Sequence, residues 1–222
     1  MPSPPPTSPL LFGLERSVYT RIARLALEEK AVRYALHEVE IFGAGGAPDE
    51  HFKRHPFGRI PVLQHGEFSL YETSAITRYV DEAFPGPALQ PAGPQQRARM
   101  NQAIGLLDAY AYRPMVWGVF VQRVRIPLNG GVANEAEIAK SLQAAVPCLS
   151  ALDTLLGAAP FLAGECISLA DLHAFPILRC FCLAPEGHAS LQPHRALLRW
   201  YEAMLLRSSV CRTATQYEPT NS

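Results

Sequence analysis

Short apolar runs broken by glycine fill the first third of the chain, and long helical periodicities fill the rest. Leu10-Leu11-Phe12-Gly13 predicts a buried strand ended by glycine. From Val18 to Glu29 the period changes: Val18, Ile22, Leu25 and Glu29 share a helical face, while Arg21, Arg24 and Glu28 fall elsewhere. Ala31 to Ile41 alternates as a second strand does and runs into the glycine-rich break Gly43 to Gly46. Asp49 to Arg54 predicts a short helical turn. Pro61 to Gln64 and Phe68 to Tyr71 flank His65-Gly66 as the arms of a tight hairpin, and Thr73 to Phe84 is helical again. Strand, helix and strand in that order imply a parallel pair, to which the hairpin adds antiparallel strands.

Between Phe84 and Pro94 four prolines and two glycines mark a linker. Beyond it the strand signal ends. Gln95 to about Val124, Glu135 to Leu156, Leu169 to Leu183 and Arg195 to Leu206 have helical periodicity, with breaks at Pro127 to Gly131, Ala159-Pro160 and Pro185 to Gly187. Pro114, Pro147 and Pro176 fall inside these segments, where kinks or early ends are expected. Ser168-Leu169-Ala170-Asp171 has the form of a capping box. The expected organisation is a proline-rich extension over residues 1–9, a βαβ-ββα domain over 10–84, a linker over 85–94 and an all-α domain over 95–222.

The composition of the 222 residues, 48% hydrophobic and 18% charged, suits a sizeable globular core. Twenty basic residues balance twenty acidic ones, so no net field favours nucleic acid or an anionic membrane. The opening MPSPPPTSPL lacks the basic and apolar regions of a signal peptide, and no apolar run approaches the ~20 residues of a membrane span. Five irregularly spaced cysteines, all from Cys148 onward, point to a reducing compartment rather than a disulfide framework. Cys180-Phe181-Cys182 reads as core packing before it reads as half of a metal site. A soluble, cytoplasmic protein without nucleic-acid or membrane partners is expected.

Three short segments carry chemistry. Ser17 stands at the start of the first helix, where it either caps the helix or offers a hydroxyl to an anion attracted there. Ile60-Pro61 opens a strand, either as an ordinary trans proline or as a cis bond that turns the Ile60 backbone outward. Glu72-Thr73 opens the helix after the hairpin, with Thr73 as N-cap; the pair is a simple helix start or a site for the amino and carboxylate ends of an amino acid.

Read together, Leu11-Phe12-Gly13-x-x-x-Ser17, HPFGRIPVL (His55 to Leu63) and LYETSAITRY (Leu70 to Tyr79) resemble the glutathione transferases, nearest to the serine type of the phi class. That class has N-P-F-G-Q-V-P-A-L and F-E-S-R-A-I at the later positions. FLAGECISLADLHAFPIL (Phe161 to Leu178) and RWYEAMLLRSS (Arg199 to Ser209) resemble the family's late helices, so the likeness runs from Leu10 to about Cys211.

The resemblance implies an α/β thioredoxin-like domain followed by an all-helical one, and a homodimer with no tightly bound cofactor or metal. Glutathione would be co-substrate, its thiolate transferred to a hydrophobic electrophile in an apolar cleft between the domains. Ser17 would activate the sulfur, Ile60 before a cis Pro61 would pair with the cysteinyl backbone, and Glu72 and Thr73 would hold the γ-glutamyl end. Arg59, where the family often has Gln or Lys, would reach a carboxylate. Leu14, Tyr110, Tyr112, Trp117 and Phe120 are the candidates for the second-substrate wall. The family's His-Lys pair falls at Gly46-Ala47 here, with His51 or Lys53 as substitutes. Tyr19 and Thr20 are the other candidate hydroxyls. The alternatives are a glutathione-dependent peroxidase or reductase, whose thiol-exchange members carry cysteine at the Ser17 position, a maleylacetoacetate-type isomerase, or a non-catalytic glutathione- or ligand-binding protein.

Overall fold

The computed structural model describes residues 8–43 and 45–218. Among them the chain divides into two compact units. The first runs to Pro87 and takes back Arg212–Gln216; the second runs from Ala88 to Cys211 and resumes at Tyr217. The expected proline-rich extension lies largely outside the described residues. Pro9, assigned to that extension from the sequence, is buried, and its carbonyl accepts the Ala35 N–H at 3.1 Å.

The first unit is built on a four-stranded sheet in the order β2-β1-β3-β4. Strand β1 (Leu10–Gly13) leads through α1 (Val18–Glu29) to β2 (Ala35–Glu38), parallel to β1. A short α2 (Asp49–Phe52) precedes β3 (Val62–His65) and β4 (Phe68–Tyr71), both in antiparallel pairing, and α3 (Thr73–Ala83) closes the unit. His65 pairs with Phe68, so the hairpin loop is Gly66-Glu67, and Gly66 takes φ +62° as a two-residue hairpin loop requires. Helices α1 and α3 pack together. Their ends are joined by Lys30, whose buried ammonium donates to Asp81 Oδ1 at 3.1 Å and to the carbonyls of Asp81, Gly86 and Pro87.

Arg21 and Arg24 were expected off the apolar face of α1. Both are buried, with 2% and 6% of their surface exposed. The returning segment covers them: Arg21 donates to the Thr213 hydroxyl at 3.4 Å, Arg24 to the Arg212 carbonyl at 3.4 Å, and Arg212 pairs with Glu28 at 2.6 Å. Periodicity is blind to a cover supplied by residues nearly two hundred positions away.

The second unit is helical. It begins with α4 (Pro94–Leu106), which runs on through two stretches of wider, i→i+5 bonded helix at Leu107–Ala111 and Arg113–Arg125 into α5 (Ile126–Leu128). Helices α6 (Glu135–Leu156), α7 (Leu169–Leu183), α8 (Pro185–Leu191), α9 (Arg195–Leu205) and α10 (Ser208–Arg212) follow. The segment expected to break at Pro185 starts α8 instead, because proline is acceptable at the first helical position. Pro147 and Pro176 lie within α6 and α7, which continue past them.

Helix α7 is buried almost throughout and begins with the capping box read from the sequence. Its Asp171 is fully buried and accepts four hydrogen bonds: Leu162 N–H at 2.9 Å, Trp200 Nε1–H at 2.8 Å, Ser168 N–H at 2.8 Å and Ser168 Oγ–H at 2.7 Å. Arg123 binds Glu135 through two 2.7 Å contacts and Glu186 through a third, tying the widened helix to α6 and α8. Among the described residues no helix is long and apolar enough to cross a membrane.

Candidate functional site

Register places the three chemistry-bearing segments at one end of the sheet. Phe12 pairs with Val62, and Val62 with Tyr71. At that row β1 leaves toward Ser17, β3 arrives from Ile60-Pro61, and β4 leaves into Glu72-Thr73. Strands β1 and β4 are two strand spacings apart, about 10 Å.

Ser17 is reached by a turn in which its N–H bonds to the Leu14 carbonyl at 3.0 Å. It is the N-cap of α1, in extended conformation, and its hydroxyl oxygen accepts the Thr20 N–H at 3.4 Å. Thr20 is fully buried and its own hydroxyl accepts the Leu14 N–H at 3.4 Å, so it frames the turn from inside. Gly13 allows that approach, since a Cβ there would meet Thr20 Oγ1 at 2.4 Å. Leu14, a candidate for the second-substrate wall, is 3% exposed and belongs to the core cluster of Phe12, Val39, Ile60 and Val62. It is a packing residue of this unit.

The segment from α2 to β3 is braced by two histidines. His51 is buried, and its Nε2 lies 2.7 Å from the Arg59 carbonyl oxygen. His51 is therefore engaged, not the spare cation expected to stand in for the missing His-Lys pair; Lys53 is exposed. His55 Nδ1 accepts the Phe57 N–H at 3.3 Å, and its ring lies 4.7 Å from that of Tyr71. Burial pushes the His55 imidazole below its ordinary range, with Glu72 pulling the other way, and the neutral ring leaves Nδ1 free to accept. Gly58 takes φ +59°. The Arg59 side chain is exposed, and the Ile60–Pro61 bond is cis. Among the described residues neither the N–H nor the C=O of Ile60 has a hydrogen-bond partner.

At the third segment the sequence reading needs correction. Glu72, not Thr73, occupies the N-cap position of α3; its carbonyl accepts from Ala75 and Ile76 at 2.9 Å. Its side chain makes no capping bond, and its φ of +69° is unusual for a residue with a Cβ. Thr73 is the first helical residue. Among the described residues the N–H groups of Thr73 and Ser74 have no acceptor, which is the arrangement that draws a carboxylate to a helix start.

In the second unit the aromatic candidates do not share one environment. Tyr110 is 68% exposed and lines an apolar cavity of about 660 Å³ with Leu106, Pro114, Pro147 and Cys148. Trp117 is 40% exposed and Tyr112 is half-buried. Phe120 is buried with its ring edge-on to Tyr217 at 5.3 Å. An α-helical phase would put Trp117 and Phe120 on one face, but here the helix is wider.

Comparison with known proteins identifies the family. The glutathione S-transferase N-terminal domain model matches residues 11–88 and the glutathione S-transferase C-terminal domain model matches residues 135–203, together well over half of the chain. Glutathione S-transferase 4 of Zea mays is 28% identical, covering 96% of this chain and 94% of its own length. Glutathione S-transferase F10 of Arabidopsis thaliana is 28% identical with 95% of each covered. Among solved structures, apo glutathione S-transferase III superposes with a TM-score of 0.82 at 25% identity, over 93% of this chain and 95% of that one. Glutathione S-transferase-I bound to lactoylglutathione gives 0.82 at 25% identity, over 94% and 99%. The chain belongs to the glutathione transferase family, as a thioredoxin-like domain followed by a helical one. Its curated relatives include several plant enzymes of the F type.

Proposed function

We propose that the protein is a glutathione transferase that binds glutathione across the end of the sheet marked by Phe12, Val62 and Tyr71 and holds its sulfur as the thiolate for transfer to a hydrophobic electrophile. The observation that carries the reading is the convergence, by strand register, of the Ser17 hydroxyl, the free backbone of Ile60 and the open start of α3. In this reading the cysteinyl backbone pairs with Ile60. The γ-glutamyl carboxylate sits on the Thr73 and Ser74 N–H groups, with Glu72 facing the amino group, and Arg59 meets a carboxylate.

Ser17 donates its hydroxyl proton to the thiolate. Lowering a thiol from ~8.5 by about two units takes about 2.7 kcal/mol. One charge-assisted hydrogen bond of roughly 1.5–3 kcal/mol together with the helix start is enough. All five cysteines lie in the second unit, which speaks against thiol exchange at this position.

The chain acts in this proposal as a cytoplasmic homodimer. Support for self-association comes from the exposed aromatics Phe57, Phe68 and Tyr71 of the first unit and the open apolar cavity at Tyr110 of the second. Tyr110 and Trp117 remain the exposed candidates for electrophile contact. Calorimetric titration with glutathione, followed by thiolate absorbance of the complex across pH, tests the proposal. Binding with a thiol pKa well below that of free glutathione is expected; binding without the shift would leave a carrier.

A further inference from the structure

We infer that His51 is a positioning residue for glutathione, acting through the peptide group that joins Arg59 to Ile60. A carbonyl oxygen only accepts, so the 2.7 Å contact requires His51 Nε2 to carry a proton and donate it to the Arg59 C=O. That C=O and the Ile60 N–H are the two ends of one planar unit. The Arg59–Ile60 bond is trans, since the only cis bond among the described residues follows it, at Ile60–Pro61. In a trans peptide C=O and N–H point in opposite directions, so holding the oxygen against the buried imidazole turns the Ile60 N–H away from it. That N–H has no acceptor among the described residues. The donated proton also polarises the peptide and strengthens its N–H as a donor.

The price of this arrangement is visible in the same ring. His51 is 2% exposed, and its Nδ1 is cut off from solvent with no hydrogen-bond partner. A phenylalanine would fill much the same space without an orphaned polar atom, so packing and stability do not explain an imidazole here. What the imidazole supplies, and an apolar ring does not, is the bond to Arg59.

The rest of the segment leaves that bond the task of setting the peptide plane. The His55 carbonyl accepts the Gly58 N–H at 2.9 Å and its ring accepts the Phe57 N–H, which fixes the turn up to Gly58. Val62 begins the paired strand. Between these two anchors the Arg59–Ile60 peptide is held by His51. The inference rests on the reading that glutathione pairs with the Ile60 backbone.

The test compares wild type with His51→Phe and His51→Gln, using calorimetric binding of glutathione and of S-methylglutathione, steady-state conjugation to a nitro-activated aryl chloride, and thermal melting. His51→Phe is expected to weaken both peptides about five- to tenfold and to raise the glutathione KM alike. The kcat at saturating glutathione, the KM for the aryl chloride and the melting temperature should stay near wild type. His51→Gln, whose amide donates at a similar reach, is expected to recover most of the affinity. Wild-type affinity in His51→Phe would overturn the inference, as would a loss that the glutamine variant does not recover. Failure of the wild type itself to bind either peptide would overturn the proposed function beneath it.

Discussion

The hydroxyl oxygen of Ser17 accepts the amide N–H of Thr20 at 3.4 Å, a bond that uses a lone pair and leaves the hydroxyl proton uncommitted. Capping and thiolate stabilisation, which look like rival roles in the sequence, are therefore compatible in one side chain. The cap even orients the hydroxyl, since with one tetrahedral position on Oγ facing the Thr20 N–H the proton is confined to the other two.

Ser17→Ala should reduce kcat/KM for conjugation by about 10- to 100-fold, the equivalent of one charge-assisted hydrogen bond of roughly 1.5–3 kcal/mol. Glutathione affinity should change little, and loss of the cap should lower stability by about 1 kcal/mol. Steady-state kinetics and urea unfolding on one preparation check both parts. Undiminished turnover would move the search to the Tyr19 hydroxyl, because the Thr20 side chain is fully buried.

Glu72 separates function from stability. Its φ of +69° suits glycine better than any residue with a Cβ. Glu72→Gly should raise unfolding stability by about 1 kcal/mol while weakening glutathione binding tenfold or more. A variant that binds glutathione as well as wild type would remove the carboxylate from the site.

Acid should weaken the fold through His55. Burial holds its imidazole below the ordinary 6.5, so as pH falls the unfolded chain takes up the proton before the folded one does. Its contribution to stability is complete above 6.5 and is lost on going lower. Urea midpoints at pH 7.5 and 5.5 should fall further for wild type than for His55→Asn, which retains an acceptor for the Phe57 N–H and does not titrate. Equal slopes would show that other groups set the acid response.

In the second unit Asp171→Ala should cost about 3 kcal/mol or more, since Leu162 N–H, Ser168 N–H and Trp200 Nε1–H would all lose their acceptor inside the core. Asp171→Asn should lose less, because its remaining carbonyl oxygen still accepts. A thermal melt of each variant decides the order.

The first strand, the hairpin, α1, α6 and α7 were legible because their periodicity and end signals agree. The Ser17, Ile60-Pro61 and Glu72-Thr73 segments were legible as motifs, and strand register brings them to one end of the sheet. Other features left no local trace. Thr73 has the chemistry of a cap, yet the positive φ of Glu72 moves the helix boundary back by one residue, and a glutamate announces no such conformation. His51 reads as a residue of a short helical turn and as a stand-in for the family's His-Lys pair; only the path of the chain back to Arg59 gives its ring a partner. The wider helix after Leu106 shifts the phase of Trp117 and Phe120; Pro114 signals a disturbance there, but a proline does not distinguish a widened helix from a kink or an early end.

The return of Arg212–Gln216 to the first unit bears on the order in which the protein is made. Domains fold as units during synthesis, the N-terminal one first. This N-terminal unit cannot be completed in that order, because the partners that Thr213 and Arg212 provide for buried Arg21 and Arg24 emerge from the ribosome only after the whole of Ala88–Cys211. A nascent chain halted in the second unit would carry α1 with those guanidiniums uncovered, a state recognisable to a chaperone or a protease and absent from the finished molecule.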